Sequence, residues 1–141
     1  MTAELPPPGT IVSYSYLWAR QHERGETEGR KTRPACLVVR VHRREDDTNH
    51  LMLLAITSRE PASDTSALEI PDIERARAGL TRYPRAWIVI GEYNYDIAEQ
   101  SWYFETGIEP LGAFSAAYLR KVTDALRKEM RAGAKRVDRT T

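Results

Sequence analysis

The chain reads as a mainly β (α+β) domain: a strongly curved antiparallel sheet or small barrel of short strands, covered by a short mid-chain helix and a C-terminal helix. Three observations point there. Strand-sized apolar runs separated by turn residues recur from residue 10 to residue 105. Two of them, residues 33–41 and 50–57, flank the polar turn at 43–49 and pair as an antiparallel hairpin. From Ser115 the apolar period becomes helical, with Leu119, Val122, Leu126 and Met130 on one face.

Each element has a local reason. Pro6, Pro7, Pro8 and Gly9 form a stiff lead-in that cannot join a sheet interior. Residues 10–16 alternate well enough for a first strand. Residues 17–32 are polar, charge-mixed and interrupted by Gly25 and Gly29. They show neither alternation nor a helical stripe, so a long loop is expected, of the kind that often carries function. The second strand opens at Arg33-Pro34 and continues through Ala35-Cys36-Leu37-Val38-Val39, an unbroken apolar run that implies burial on both faces. Residues 68–70 are a short strand, after which Pro71 suits the start of a helix through Ala78 and Gly79 ends it. Residues 85–93 read as one strand and 102–105 as another. Ser115 is the expected N-cap of the last helix and Gly133 its stop. The tail beyond, with Lys135, Arg136 and Arg139, is expected to fray. The whole is one domain with its core at about residues 9–131, a flexible proline-rich start and a basic tail.

Composition narrows the chemistry. At 141 residues the chain can build one real core and not two. Its net charge of +1 means that any anion-binding site must come from local clustering. The one cysteine, Cys36, lies inside an apolar strand, so it forms no internal disulfide and no thiolate-rich metal site. It reads as a small buried hydrophobe and fits a reducing cytoplasm. The N-terminus lacks a signal-peptide pattern, and no apolar run approaches the ~18 residues of a membrane span. GxGxxG, P-loop, HExxH, CxxC and GxSxG patterns are all missing, so no cofactor is expected and the metal set is expected to be none.

Three polar clusters fall at strand ends: Glu28, Arg30, Lys31 and Arg33; Thr57, Ser58 and Arg59; and Glu92, Tyr93 and Asn94. Proline at position 34 holds Arg33 extended, at the mouth of a buried strand, where its planar fork of donors can meet a phosphate. An antiparallel hairpin over 33–57 puts the start of its first strand beside the end of its second, so Arg33 neighbours Thr57. Arg33 would then stabilise charge on phosphate oxygens, Thr57 and Ser58 would hydrogen-bond them, and a glutamate would act as base. Each residue also has a plainer use. Thr57-Ser58 can simply end a strand, Glu92 can pair with a surface cation, and Glu28 and His22 can be bystanders in a mixed loop. Tyr14, Tyr16 and Trp18 suit base stacking or core packing. A reaction that uses only side chains and the 2′-hydroxyl of RNA needs no signature motif.

Taken together, these motifs resemble the MazF/PemK toxins of bacterial type II toxin–antitoxin systems. The matching pieces are Gly9-Thr10-Ile11-Val12; Gly29 with the run from Lys31 to Val39; Leu54-Ala55-Ile56-Thr57-Ser58; Gly79-Leu80; the run from Trp87 to Asn94; and Leu111-Gly112 with the following helix. They span roughly residues 9–131, and their order and spacing, more than any one of them, carry the likeness. The resemblance implies an SH3-like barrel, a homodimer, and a metal-independent endoribonuclease of single-stranded RNA that leaves a 2′,3′-cyclic phosphate. It also implies a cognate antitoxin partner. By position it assigns Arg33 to the scissile phosphate, Thr57 to the family's strand-end threonine, and Glu28 and Glu92 to candidate bases. Lys31, Ser58, His22, Arg30 and Asn94 are the expected RNA contacts. Ile90 stands where some members carry a basic residue. Two other readings share these residues: a non-catalytic barrel that binds a partner, and a toxin whose target is not RNA but, for instance, a topoisomerase.

Overall fold

A computed structural model describes residues 5–27, 31–105 and 107–140. Among them are eight strands, β1 (Thr10–Tyr14), β2 (Arg33–Arg43), β3 (Thr48–Thr57), β4 (Ala67–Glu69), β5 (Trp87–Val89), β6 (Glu92–Ile97), β7 (Gly112–Ala113) and β8 (Lys135–Asp138). Three α-helices accompany them: α1 (Ala19–Glu23), α2 (Asp72–Arg77) and α3 (Ala116–Arg131). The strands form one sheet in the order β4-β5-β3-β2-β1-β7, an open path, with β6 branching from β3 and β8 from β6. Every pairing is antiparallel except that of β8 on β6.

The expected hairpin of β2 and β3 is the centre of the sheet. Its register sets Ala35 opposite Ala55 and Leu37 opposite Leu53, with an irregularity at Val38. Successive residues alternate between two cores, so both faces are buried, as the unbroken apolar run implies. Ile11, Cys36, Val38, Leu54 and Ile56 pack under α3 with Tyr118, Val122 and Leu126. Val12, Tyr14, Ala35, Leu37, Leu53 and Ala55 face the other way, onto Tyr16, Trp18 and Phe104. Cys36 is fully buried, and burial pushes its thiol far above the ordinary range, so it is an inert packing group.

The C-terminal helix begins where its cap predicts: Ser115 Oγ accepts the Tyr118 N–H at 3.2 Å. The buried Glu74 of α2 accepts the Ser115 N–H and hydroxyl at 2.8 and 2.7 Å, tying the two helices together. The buried stripe is Tyr118, Val122 and Leu126, while Met130 is 43% exposed. Gly79, just past α2, has φ +73°, and an added Cβ would lie 2.0 Å from the Leu111 carbonyl oxygen. The close approach of α2 to the chain before β7 therefore requires a residue without a side chain.

Five elements differ from the sequence reading, each for a tertiary or local reason. The first strand stops at Tyr14 because the Tyr16 N–H turns back to the Tyr14 carbonyl at 2.9 Å. The expected loop at 17–32 holds a helical turn, α1. Its start is held by side chains: Gln21 Oε1 accepts the Trp18 N–H at 3.1 Å, and Glu92 Oε1 accepts the Ala19 N–H at 2.9 Å. The single strand expected at 85–93 is two, β5 and β6. Both run antiparallel to the same edge of β3, but the register slips by three residues at Ile90-Gly91. There the chain exchanges neighbours: the Ile90 N–H bonds the Ser66 carbonyl, while the Gly91 carbonyl accepts the Lys135 N–H. Residues 102–105 form no strand, because the Ser101 hydroxyl accepts the N–H groups of both Tyr103 and Phe104 and curls the chain. The tail expected to fray forms β8, and Arg139 beyond it is 3% exposed.

Candidate functional site

Arg33 opens β2 opposite Tyr14 of β1, and Thr57 ends β3 opposite Trp87 of β5. The hairpin brings the two side chains to one cleft of about 670 Å³, also lined by Ser58 and Lys31. Arg33 and Thr57, expected as neighbours from the hairpin, thus share one cleft.

The cleft is electropositive well beyond the molecule's net charge of +1. Arg20, Lys31, Arg33, Arg59 and Arg82 line it, and among its described lining residues Glu60 is the one carboxylate. Glu60 itself lies 3.5 Å from the Arg85 guanidinium. Trp18, 8% exposed, forms part of the wall, with the guanidinium carbons of both Arg20 and Arg33 at 5.0 Å from its ring centroid. Pro34 is buried beneath and Tyr83 stands at the rim beside Arg82.

Arg33 is half-buried, and its Nε is buried with no hydrogen-bond partner among the described residues. Burial first, and the neighbouring positive Arg20 second, pull its pKa below the ordinary arginine value. A guanidinium still stays charged at neutral pH. A partly desolvated cation at the wall of a cleft favours an anion beside it, because the anion offsets the cost of burying the charge. Thr57 Oγ1 accepts the Arg59 N–H at 3.2 Å, a local turn that ends the strand and leaves the hydroxyl at the cleft.

The other expected site residues that the structure describes, Lys31 and Ser58 apart, lie elsewhere. Glu28 and Arg30 fall outside the described residues. Glu92 is half-buried and does not line the cleft. Its Oε1 accepts from the Ala19 N–H at 2.9 Å and from the Tyr16 hydroxyl at 3.3 Å. Burial raises its pKa, against the lowering effect of those donors and of Arg20 and Lys135. Asn94 is fully buried: it accepts the Leu17 N–H at 2.9 Å and donates to the Leu17 carbonyl at 2.7 Å, so a contact with RNA is not open to it. His22 is exposed on α1, outside the cleft lining. Tyr14 and Tyr16 are core residues.

Arg20, Arg82, Tyr83 and Glu60 are cleft residues that sequence reasoning missed, while Arg59 and Trp18 were legible beside Thr57 and on the first loop. Arg20 and Arg82 carry no local signal, since each is one arginine in a polar segment. Among the described residues no group of three His, Cys, Asp or Glu side chains is placed to hold a metal ion. No helix among them is long and apolar enough to cross a membrane. Compared with protein-family models, with curated proteins and with solved structures, the chain gives no match.

Proposed function

We propose that the chain is a metal-independent endoribonuclease of single-stranded RNA, the toxin of a type II toxin–antitoxin pair of the MazF/PemK kind, with its curved sheet an SH3-like barrel. The observation that carries the reading is Arg33: a partly desolvated guanidinium in a cleft lined by five cationic side chains, beside the Thr57 and Ser58 hydroxyls. Such a cleft suits a polyphosphate strand, and its Arg–hydroxyl pair suits the charge that develops on a phosphate under attack. In the reaction, the 2′-oxygen forms a bond to the adjacent phosphorus as the bond to the 5′-oxygen breaks. The 2′-proton passes to a base and the leaving 5′-oxygen gains a proton, leaving a 2′,3′-cyclic phosphate and a 5′-hydroxyl. Arg33 stabilises the non-bridging oxygens, and Thr57 and Ser58 hydrogen-bond them. Glu28 and the cleft's Glu60 are the candidate bases; Glu92 supports the wall that carries Trp18 and Arg20. The reading further includes a homodimer in the cytoplasm and an antitoxin that covers the cationic cleft.

One observation favours a second reading, a binding module without catalysis: Glu92, the later candidate base, is engaged by the Ala19 N–H and the Tyr16 hydroxyl. Incubating the purified protein with a long unstructured RNA in EDTA, beside Arg33→Ala, separates the two. Discrete fragments ending in 2′,3′-cyclic phosphate, absent for the variant, support the ribonuclease. Tight binding of intact RNA with no fragments from a varied RNA pool supports the module.

A further inference from the structure

The segment from Ser15 to Thr27 carries Trp18 and Arg20 to the cleft, yet its only helix is five residues long. A single turn of that length does not hold itself. The end of the chain holds it. Arg139 follows β8, with Nη1 donating to the Ser15 carbonyl at 2.6 Å and to Asn94 Oδ1 at 3.1 Å. Its Nη2 donates to the Thr27 carbonyl at 3.3 Å. One guanidinium thus grips both ends of the segment. It lies 3.8 Å over the Tyr103 ring and 5.8 Å from the Tyr14 ring, and the Tyr103 hydroxyl donates to the same Thr27 carbonyl at 3.1 Å. At the middle, Lys135 of β8 meets Glu23 of α1 at 2.7 Å. Asn94, the residue Arg139 touches, grips Leu17 from β6.

We infer that residues 135–139 are a clasp that sets the Trp18–Arg20 wall of the cationic cleft, with Arg139 as its positioning residue. The structural part stands on these contacts alone; the consequence for ligand binding rests on the cleft being an RNA site. Lysine cannot replace Arg139, because one ammonium cannot bridge two carbonyls and also lie flat on tyrosine. The basic C-terminal tail is held by its ladder to β6, by Val137 packed on Leu17 and Ala19, and by the polar contacts of Lys135 and Arg139 to the segment it in turn fastens.

The test is amide hydrogen exchange on the full chain, with oligouridylate affinity measured on the same samples. In Arg139→Lys, amides 16–24 are expected to exchange ~10-fold faster while the β2–β3 hairpin keeps its protection, a local opening and not a global one. Oligouridylate affinity should fall several-fold at constant net charge. Glu23→Lys, a surface change that leaves the fold intact, should give a smaller shift in the same amides, and adding Lys135→Glu should reverse it. Unchanged exchange, or faster exchange spread evenly over the hairpin, overturns the clasp. Faster local exchange with unchanged RNA affinity overturns its link to the cleft. A wild-type protein that binds no oligouridylate removes the RNA reading, and the exchange data still decide the clasp.

Discussion

The sharpest test of the proposed RNA site is the salt dependence of oligonucleotide binding at the cleft. Five cations line it: Arg20, Lys31, Arg33, Arg59 and Arg82. If each neutralises one phosphate of a single strand, log K against log salt should slope about −3.5, at roughly −0.7 per contact. Raising salt from 50 to 200 mM would then weaken binding on the order of 100-fold. Arg82 is the residue to remove, because it is exposed and donates to the neighbouring Tyr83 hydroxyl. Arg82→Ala should leave the fold unchanged and make the slope shallower by about 0.7. Fluorescence anisotropy of a labelled oligouridylate across a salt series measures both. A slope no steeper than about −1, or one that Arg82→Ala does not change, would refute the idea that the cleft tracks a phosphate backbone.

Other perturbations probe the reaction, the support of the site and the frame. Arg33→Lys keeps the charge but loses the planar fork, so kcat should fall by roughly 10²-fold with RNA affinity within a few-fold; equal losses in both would make Arg33 a binding residue only. Glu92→Gln keeps an acceptor for Ala19 and Tyr16 without a charge to desolvate. Because burial raises the native pKa of Glu92 above its ordinary 4.5, the wild type binds the extra proton when folded and loses stability as pH rises through that native value. The stability of Glu92→Gln relative to wild type should therefore increase from pH 4.5 towards 7, and a difference flat with pH in urea melts would contradict the assignment. Gly79→Ala combines a left-handed backbone with a Cβ 2.0 Å from the Leu111 carbonyl oxygen. It should cost about 3 kcal/mol or more in urea unfolding, and a loss under about 1 kcal/mol would mean that the α2–β7 approach is soft.

The features legible without a fold are those that depend on neighbours along the chain or on one hairpin. Unbroken apolar runs in β2 and β3 specified strands buried on both faces, and the turn between them fixed a register that sets Arg33 and Thr57 at one cleft. Ser115 and Gly79 marked the helix ends because capping and positive φ are properties of single residues. Which further charges join them depends on the fold. Arg20 comes from α1 and Arg82 from the chain after α2, and no periodicity relates them. The same holds for α1, whose first N–H groups are satisfied by Gln21 and the distant Glu92, and for β8, which joins β6 only because the chain changes neighbours at Gly91. Side-chain patterning reports which face of an element is buried. It does not report which distant polar groups that burial brings together, and here those groups place Glu92 and Asn94 in the scaffold and Arg20 and Arg82 at the site.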